Sequence, residues 1–200
     1  MYENKTHSIA DRIVSIHQPH VRPIVRGKAR SFIEFGAKIA ISLVNGYSFI
    51  EELSWDAFNE SKGLELAVER YRERYGYYPE AILADQIYRN RENLKFCQKH
   101  NIRLSGPKLG RPIAKSKGQA LKLERQDTRD RNAVEGKFGE GKRCYGLSRI
   151  MARLKETASC VIAVQFLVMN LERKLRVLFV YFIETFIASF FTQNSVAHQA

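Results

Sequence analysis

A chain of 200 residues, 44% of them hydrophobic and 11% aromatic, is long enough and apolar enough for one globular domain with its own core, which excludes a disordered segment. Its 33 Lys and Arg against 21 Asp and Glu give a net charge of +12, so the expected partner is a polyanion, nucleic acid first. Three cysteines, Cys97, Cys144 and Cys160, without any CxxC spacing, speak against a disulfide framework and a cysteine zinc site and fit a reducing cytoplasm.

The charge is uneven: residues 101 to 160 hold 15 basic and 6 acidic side chains, so most of the basic footprint lies in one segment. The alternative for such a run is a solvated face that only keeps the protein soluble. The N-terminal "MYENKTHSIADR" lacks the charged-then-apolar pattern of a secretion signal. Near the C-terminus, "CVIAVQFLVMNL" and "VLFVYFIETFIASFF" are apolar. Glu172, Arg173, Lys174, Arg176 and Glu184 interrupt them before the ~20 residues needed to span a bilayer. This predicts a core helix and no membrane partner, with a lipid-surface helix as the lesser reading.

In chain order, residues 1 to 35 read as polar and irregular, with Pro19, Pro23 and the basic "RPIVRGKAR". "AKIAISLV" and "YSFIEEL" flank Asn45-Gly46, a pair suited to a tight turn needing positive φ at both positions, and predict an antiparallel hairpin. From Ser61, Leu64, Val68, Tyr71 and Tyr75 recur at helical spacing until Gly76 and Pro79 stop the helix. "EAILAD" predicts a short buried strand, "RNRENLKFCQKH" a helix and "NIRLSG" a second strand, an order that implies parallel pairing through a crossover. "GPKLGRPIAKSKGQ" is a basic loop; residues 121 to 149 follow as a charged helix and 152 to 176 as a longer amphipathic to buried one. The expected class is α/β, a mixed sheet covered by helices.

The stretch "RNAVEGKFGEGKRCYGL", residues 131 to 147, invites two chemistries. Gly136, four residues, then Gly141-Lys142 has the spacing of a phosphate-binding P-loop, but Arg143 stands where Ser or Thr must hold magnesium and no apolar strand precedes Gly136. The P-loop is discarded. As a helix, Arg131, Glu135 and Lys142 project within an arc of roughly 60°, a carboxylate between two cations. An ordinary surface pair between Arg131 and Glu135 would be worth only about 0.3 to 0.5 kcal/mol and explains that spacing equally well. Gly136, Gly139 and Gly141 would together cost about 2 to 3 kcal/mol of helix propensity, which calls for close approach to the backbone by a phosphodiester chain or a packed neighbouring helix.

Asp85 ends "EAILAD", where open α/β sheets place ligand-binding groups, although a strand-ending Asp is as often a turn or cap residue. Carboxylates from a strand end and a nearby helix can hold two Mg²⁺ about 4 Å apart for in-line attack on a phosphodiester. The hard oxygen donors suit Mg²⁺ or Mn²⁺, and no His/Cys cluster competes.

"ADQIYRNREN", followed fifty residues after Asp85 by "RNAVEGKFGEGKRCYGLSR", resembles the C-terminal half of the DDE transposases of bacterial insertion sequences, which have a ribonuclease H-like catalytic fold. The family's signature helix has Tyr, two residues, Arg, three residues, Glu, six residues, Lys. Arg131, Glu135 and Lys142 match it, and Thr128 departs from the tyrosine. The resemblance implies that Asp85 is the second catalytic aspartate and Glu135 the third acid, both ligands of a two-ion Mg²⁺ or Mn²⁺ site. It covers about Arg22 to Arg176, giving an irregular segment over 1–21, a partial catalytic domain over 22–176 and a tail of unassigned role over 177–200. The family's first aspartate precedes the hairpin; Asp11 is the one acid before a plausible strand there, separated from the hairpin by Pro19 and Pro23, and Asp56 lies on the wrong side. The expectation is an N-terminally incomplete transposase, crippled without its first metal ligand.

Arg111, Lys115 and Lys117 of the basic loop, with Arg131, Lys137, Lys142 and Arg143, are candidate phosphate contacts that would position DNA, transposon ends or target, without reading its sequence. Two other readings stand beside the enzyme: a non-catalytic basic DNA-binding module using the same surface, and an interaction protein whose C-terminal apolar helix pairs with another subunit as a homo-oligomer. His17 with His20, and Trp55 with Tyr71, Tyr75, Tyr77 and Tyr78, are expected to serve packing rather than metal binding or base stacking.

Overall fold

The structure is a computed structural model that describes residues 12–28, 31–106 and 118–197. Its order is β1 (Pro23–Lys28), β2 (Ser31–Phe35), β3 (Lys38–Val44), β4 (Tyr47–Ser54), a 3₁₀ turn (Glu60–Gly63), α1 (Leu64–Tyr75), β5 (Ala81–Ile82), a 3₁₀ turn (Gln86–Tyr88), α2 (Arg91–Lys99), β6 (Arg103–Leu104), α3 (Gly118–Cys144) and α4 (Lys155–Ala197). The class is α/β, as expected, but the strands form three separate two-stranded sheets rather than one mixed sheet.

The first hairpin corrects the reading of residues 1 to 35 as irregular: β1 and β2 pair antiparallel, Pro23 opposite Phe35 and Ile24 opposite Glu34. Proline is tolerated because it opens the strand, where its missing N–H interrupts no ladder. The second hairpin is the expected one, with Val44 opposite Tyr47 and the turn made by Asn45 at φ 53° and Gly46 at φ 84°. The two positive φ values are what the Asn-Gly pair accepts at little steric cost.

α4 packs across this hairpin. Ala158, Ile162, Phe166 and Met169 recur on one helix face and are buried with Val21 and Trp55, against Ile39, Ile41, Ile50 and Leu53 of β3 and β4 and Phe138 of α3. Polar contacts set the register. Asn170 accepts from the Ser48 backbone N–H at 2.9 Å and donates to the Ser48 carbonyl at 2.7 Å, and the Trp55 indole N–H donates to Ser159 Oγ at 3.0 Å. A second core joins α1 and α2: Leu64, Val68, Cys97 and Ile102, flanked by Tyr78, Ile82, Tyr88, Phe96 and Leu104. Glu51 on β4 links the two cores. Its buried carboxylate accepts from Arg74 of α1 at 2.6 Å and from Ser42 Oγ at 2.5 Å.

α1 ends where expected, with Gly76 at φ 83° as its cap. "EAILAD" and "NIRLSG" do pair parallel, Ala81 opposite Arg103 and Ile82 opposite Leu104, but for two residues each. The ladder stops because side chains take over the backbone groups beyond it: Ser105 Oγ accepts from the Ala84 N–H at 3.2 Å and Asp85 from the Gln86 N–H at 2.7 Å. α3 covers most of the expected 121 to 149. α4 runs unbroken past Arg176 to Ala197, so no element boundary separates the expected domain from its tail. Its second half is not the core helix that composition predicted. From Val177 to Ile183 every side chain is 39% exposed or more, because the body it packs on has ended. No helix among the described residues is long and apolar enough to cross a membrane.

Tyr88, beside the second core, has its phenol pushed up to about 12, first by burial and then by the carboxylates of Glu60, Asp85 and Glu52. The folded chain therefore keeps a proton that the unfolded chain releases near pH 10, so this contribution is whole below pH 10 and lost between pH 10 and 12. Thermal unfolding across that range should show wild type losing Tm more steeply than Tyr88→Phe; superimposable slopes would show that burial of Tyr88 is not linked to its titration.

Candidate active site

Asp85 sits just past the end of β5, as an N-cap. Its Oδ1 accepts from the Gln86 N–H and lies 3.6 Å from Arg131 Nη1 of α3. Capping leaves the carboxylate outward, its side chain 73% exposed, and Oδ2 takes no hydrogen bond or ion pair among the described residues. Glu135 lies on α3 one turn beyond Arg131, a rise of about 6 Å, and is exposed. Arg131 thus meets Asp85 from the helix face that also carries Glu135 and Lys142. The carboxylate it pairs with is the strand-end one rather than the i+4 neighbour.

Support for this arrangement comes from residues that carry no motif. Arg103, in β6, forms a two-pronged ion pair with Asp127 of α3, Nη1 to Oδ2 at 2.5 Å and Nη2 to Oδ1 at 3.0 Å, and Asp127 is only 8% exposed. Parallel bonds of a planar guanidinium to a carboxylate fix orientation as well as distance. The pair ties α3 to the short β5–β6 ladder from which Asp85 emerges. Arg89 donates to the carbonyls of Leu104 at 2.6 Å and Ser105 at 2.9 Å, and Asn93 Nδ2 donates to those of Ser61 and Tyr88, both at 2.8 Å. These bonds hold the turn after Asp85. A buried Asp four residues before a signature Arg is the one trace of this support in the sequence.

The glycines of α3 separate into two kinds. A Cβ at Gly141 would lie 3.1 Å from Leu147 Cδ2, in the turn after α3, and 3.4 Å from Met169 Sδ of α4, so a side chain there would crowd Leu147. Nothing lies within 4 Å of a Cβ at Gly136 or Gly139. The continuous helix through these positions also disposes of the P-loop, whose amides would have to point inward at a phosphate.

Among the candidate cations, Lys142 and Arg143 are exposed. Lys137 projects roughly 160° away from Glu135 and roughly 120° away from Arg131 around the helix. Its side chain is 11% exposed, its ammonium is 3.0 Å from Glu140, and it lines a cavity of about 330 Å³ with Gly46, Tyr145 and Arg173. The structure does not bring it to Asp85. Arg111, Lys115, Lys117 and Asp11 lie outside the described residues. His20 stacks edge-on against Trp55 at 4.3 Å, a packing role, and Tyr71, Tyr75 and Tyr77 pack on one another.

As metal donors, Asp85 and Glu135 offer hard carboxylate oxygens with free positions, which suits Mg²⁺ or Mn²⁺. Among the described residues no group of three or more His, Cys, Asp or Glu converges on one point.

Residues 82–172 match the family model described as a transposase DDE domain. The match opens in β5, closes within α4, and includes Asp85, Arg131, Glu135 and Lys142, so the segment that bears the candidate site is similar to the DDE domain of transposases. No curated protein and no solved structure matches the chain. The family carries a transposition-related function, with DNA as partner and a divalent metal in general use.

If the Arg103–Asp127 pair positions α3, Asp127→Asn should lower unfolding stability by about 1.5 to 3 kcal/mol, the worth of charge-assisted hydrogen bonds to a largely buried group. Denaturant titration measures this, and a change within experimental error would remove the pair from the account.

Proposed function

We propose that the protein acts in DNA transposition through metal-dependent phosphodiester cleavage and strand transfer, with Asp85 and Glu135 as two of the metal-binding carboxylates. The observation that supports this is the contact of Arg131 with Asp85 within the segment that matches a transposase DDE domain, Glu135 lying one turn further along the same helix. When bound, Mg²⁺ or Mn²⁺ would activate the attacking hydroxyl and neutralise charge on the leaving oxygen. The chain's own groups orient the donors. The Gln86 N–H occupies Oδ1 of Asp85, and the Arg131 guanidinium beside it holds that carboxylate next to α3. Lys142, on the same helix face, and Arg143 are suited to DNA phosphates on either side of the acids. The bare surface of Gly139, about 40° around the helix from Glu135, would let a sugar-phosphate backbone lie close to α3. A complete two-ion site needs a further acid beyond those that the described residues bring to Asp85 and Glu135.

A second reading, a non-catalytic basic DNA-binding module, is favoured by the net charge of +12 and by the same shortage of acids. The two part on a simple assay. With Mg²⁺ or Mn²⁺ and supercoiled DNA, the enzyme reading expects nicking that Asp85→Asn and Glu135→Gln each abolish, a loss of at least about 100-fold, with DNA affinity kept. It also expects each variant to weaken Mn²⁺ binding measured by calorimetry. Nicking and Mn²⁺ affinity that ignore both substitutions would leave only the binding module.

Under either reading Lys142→Ala and Arg143→Ala should each weaken DNA binding across sequences and lower the slope of log affinity against log salt by about 1. Fluorescence anisotropy at several salt concentrations gives the slope; an unchanged value would take that residue off the DNA path.

A further inference from the structure

A cavity of about 330 Å³ opens on the side of α3 that turns away from Asp85. Ala133, Gly136, Lys137 and Glu140, which fall within an arc of about 100° nearly opposite Glu135, form its first wall. Met169, Arg173 and Arg176, on one face of α4, form the second, and the β3–β4 turn at Gly46 closes the third side. The space exists because Gly46, Ala133 and Gly136 reach little or nothing into it. A Cβ at Gly136 would meet nothing within 4 Å, so no neighbour in the chain calls for the glycine there, although glycine inside a helix is less favourable than alanine. At Gly46 a Cβ would lie 2.8 Å from Arg173 Nε, so the bare turn is what admits that guanidinium.

The lining is cationic. Lys137, its side chain only 11% exposed, meets Glu140 at 3.0 Å, and Arg176 pairs with Glu172, which also accepts from the Tyr145 hydroxyl. Arg173 makes no hydrogen bond or ion pair among the described residues. Lys137, Arg173 and Arg176 against Glu140 and Glu172 leave one positive charge in excess. Donors are in excess too, since Glu140 takes one of the three N–H groups of the Lys137 ammonium and Arg173 keeps its whole fork. A nearly buried ammonium with donors to spare is costly until an acceptor meets them.

We propose that this cavity binds the phosphate of a nucleotide, with Lys137 of α3 and Arg173 of α4 donating to its oxygens and the attached sugar lying over Gly136. The cations approach from different walls, which suits a tetrahedral anion better than a planar carboxylate, whose best contact is the single side-on fork. The volume of about 330 Å³ is more than inorganic phosphate needs and falls at the lower end of small-molecule sites, about 300 to 1,000 Å³. A free nucleotide and a DNA strand offer the same phosphate and sugar. The inference does not rest on the transposition reading, because Asp85 and Glu135 take no part in the cavity.

The test is calorimetric titration of the full chain with deoxyadenosine monophosphate, alongside fluorescence anisotropy with a short DNA duplex. Gly136→Leu fills the cavity without altering charge, and Lys137→Gln removes a donor; both should keep the near-ultraviolet signal of Trp55. If the source is a free nucleotide, wild type binds the monophosphate at millimolar concentration or below and each variant weakens it at least about tenfold. If the source is a strand, the monophosphate does not bind and each variant weakens the duplex by at least about the same tenfold. Wild type that ignores the monophosphate, with both variants holding the duplex as wild type does, overturns the proposal. So does a loss with Lys137→Gln that Gly136→Leu does not share, since charge alone then accounts for it. Should Gly136→Leu misfold, Ala133→Met, which fills the same space from one turn earlier, is read in its place by the same criteria.

Discussion

The candidate site depends on one ion pair that takes no part in its chemistry. β5 and β6 are two residues long, too short to hold an aspartate in place by ladder hydrogen bonds alone. The guanidinium of Arg103 closes this gap by gripping Asp127 with two parallel bonds, which fixes α3 both along and across the ladder. Burial of the Asp127 side strengthens the bonds and raises the cost of leaving that carboxylate unpaired. Once α3 is set at that height, Arg131 falls one turn further on, opposite Asp85, and Glu135 follows on the same face.

Two hydrophobic cores share the work around it. The larger one, built on α4 and the Asn-Gly hairpin, is sealed by Trp55 and by the paired bonds of Asn170 to the Ser48 backbone. The smaller one, on α1 and α2, carries the turn with Asp85. Glu51 joins them through Arg74, so a buried charge with two partners couples the hairpin to the helices beneath the site. α3 spans both cores, touching β6 near one end and α4 through Gly141 near the other. A glycine there is a packing residue, whereas at Gly136 and Gly139 an added Cβ would meet nothing within 4 Å. One short stretch of sequence thus contains glycines with opposite meanings.

Local signals were legible. The Asn45-Gly46 hairpin, the helix ended by Gly76, the helix of "RNRENLKFCQKH" and the helical reading of the signature segment all follow from turn chemistry and periodicity, which act within a few residues. The pairing of "EAILAD" with "NIRLSG" was legible in sense but not in length, because Ser105 and Asp85 cap the backbone with their side chains. β1 and β2 were missed since Pro19, Pro23 and a basic run mask a pattern that only strand pairing reveals. In the site, Asp85, Arg131, Glu135 and Lys142 stood out by type and spacing. Lys137 stood out by charge as a candidate phosphate contact, but two residues from Glu135 on a helix is nearly the opposite face, where its ammonium meets Glu140.

By itself the sequence determined the chemistry available and where each helix face would carry it: two hard carboxylates, their flanking cations and a basic segment. These are properties of composition and of the helical repeat within single segments, which need no knowledge of distant contacts. Only the tertiary structure decided which carboxylate meets Arg131, which glycine is needed for packing, and that the second half of α4 stands away from the core. Each of those depends on contacts between segments far apart in the chain, Arg103 with Asp127 and Ser48 with Asn170 among them, whose geometry no local rule contains.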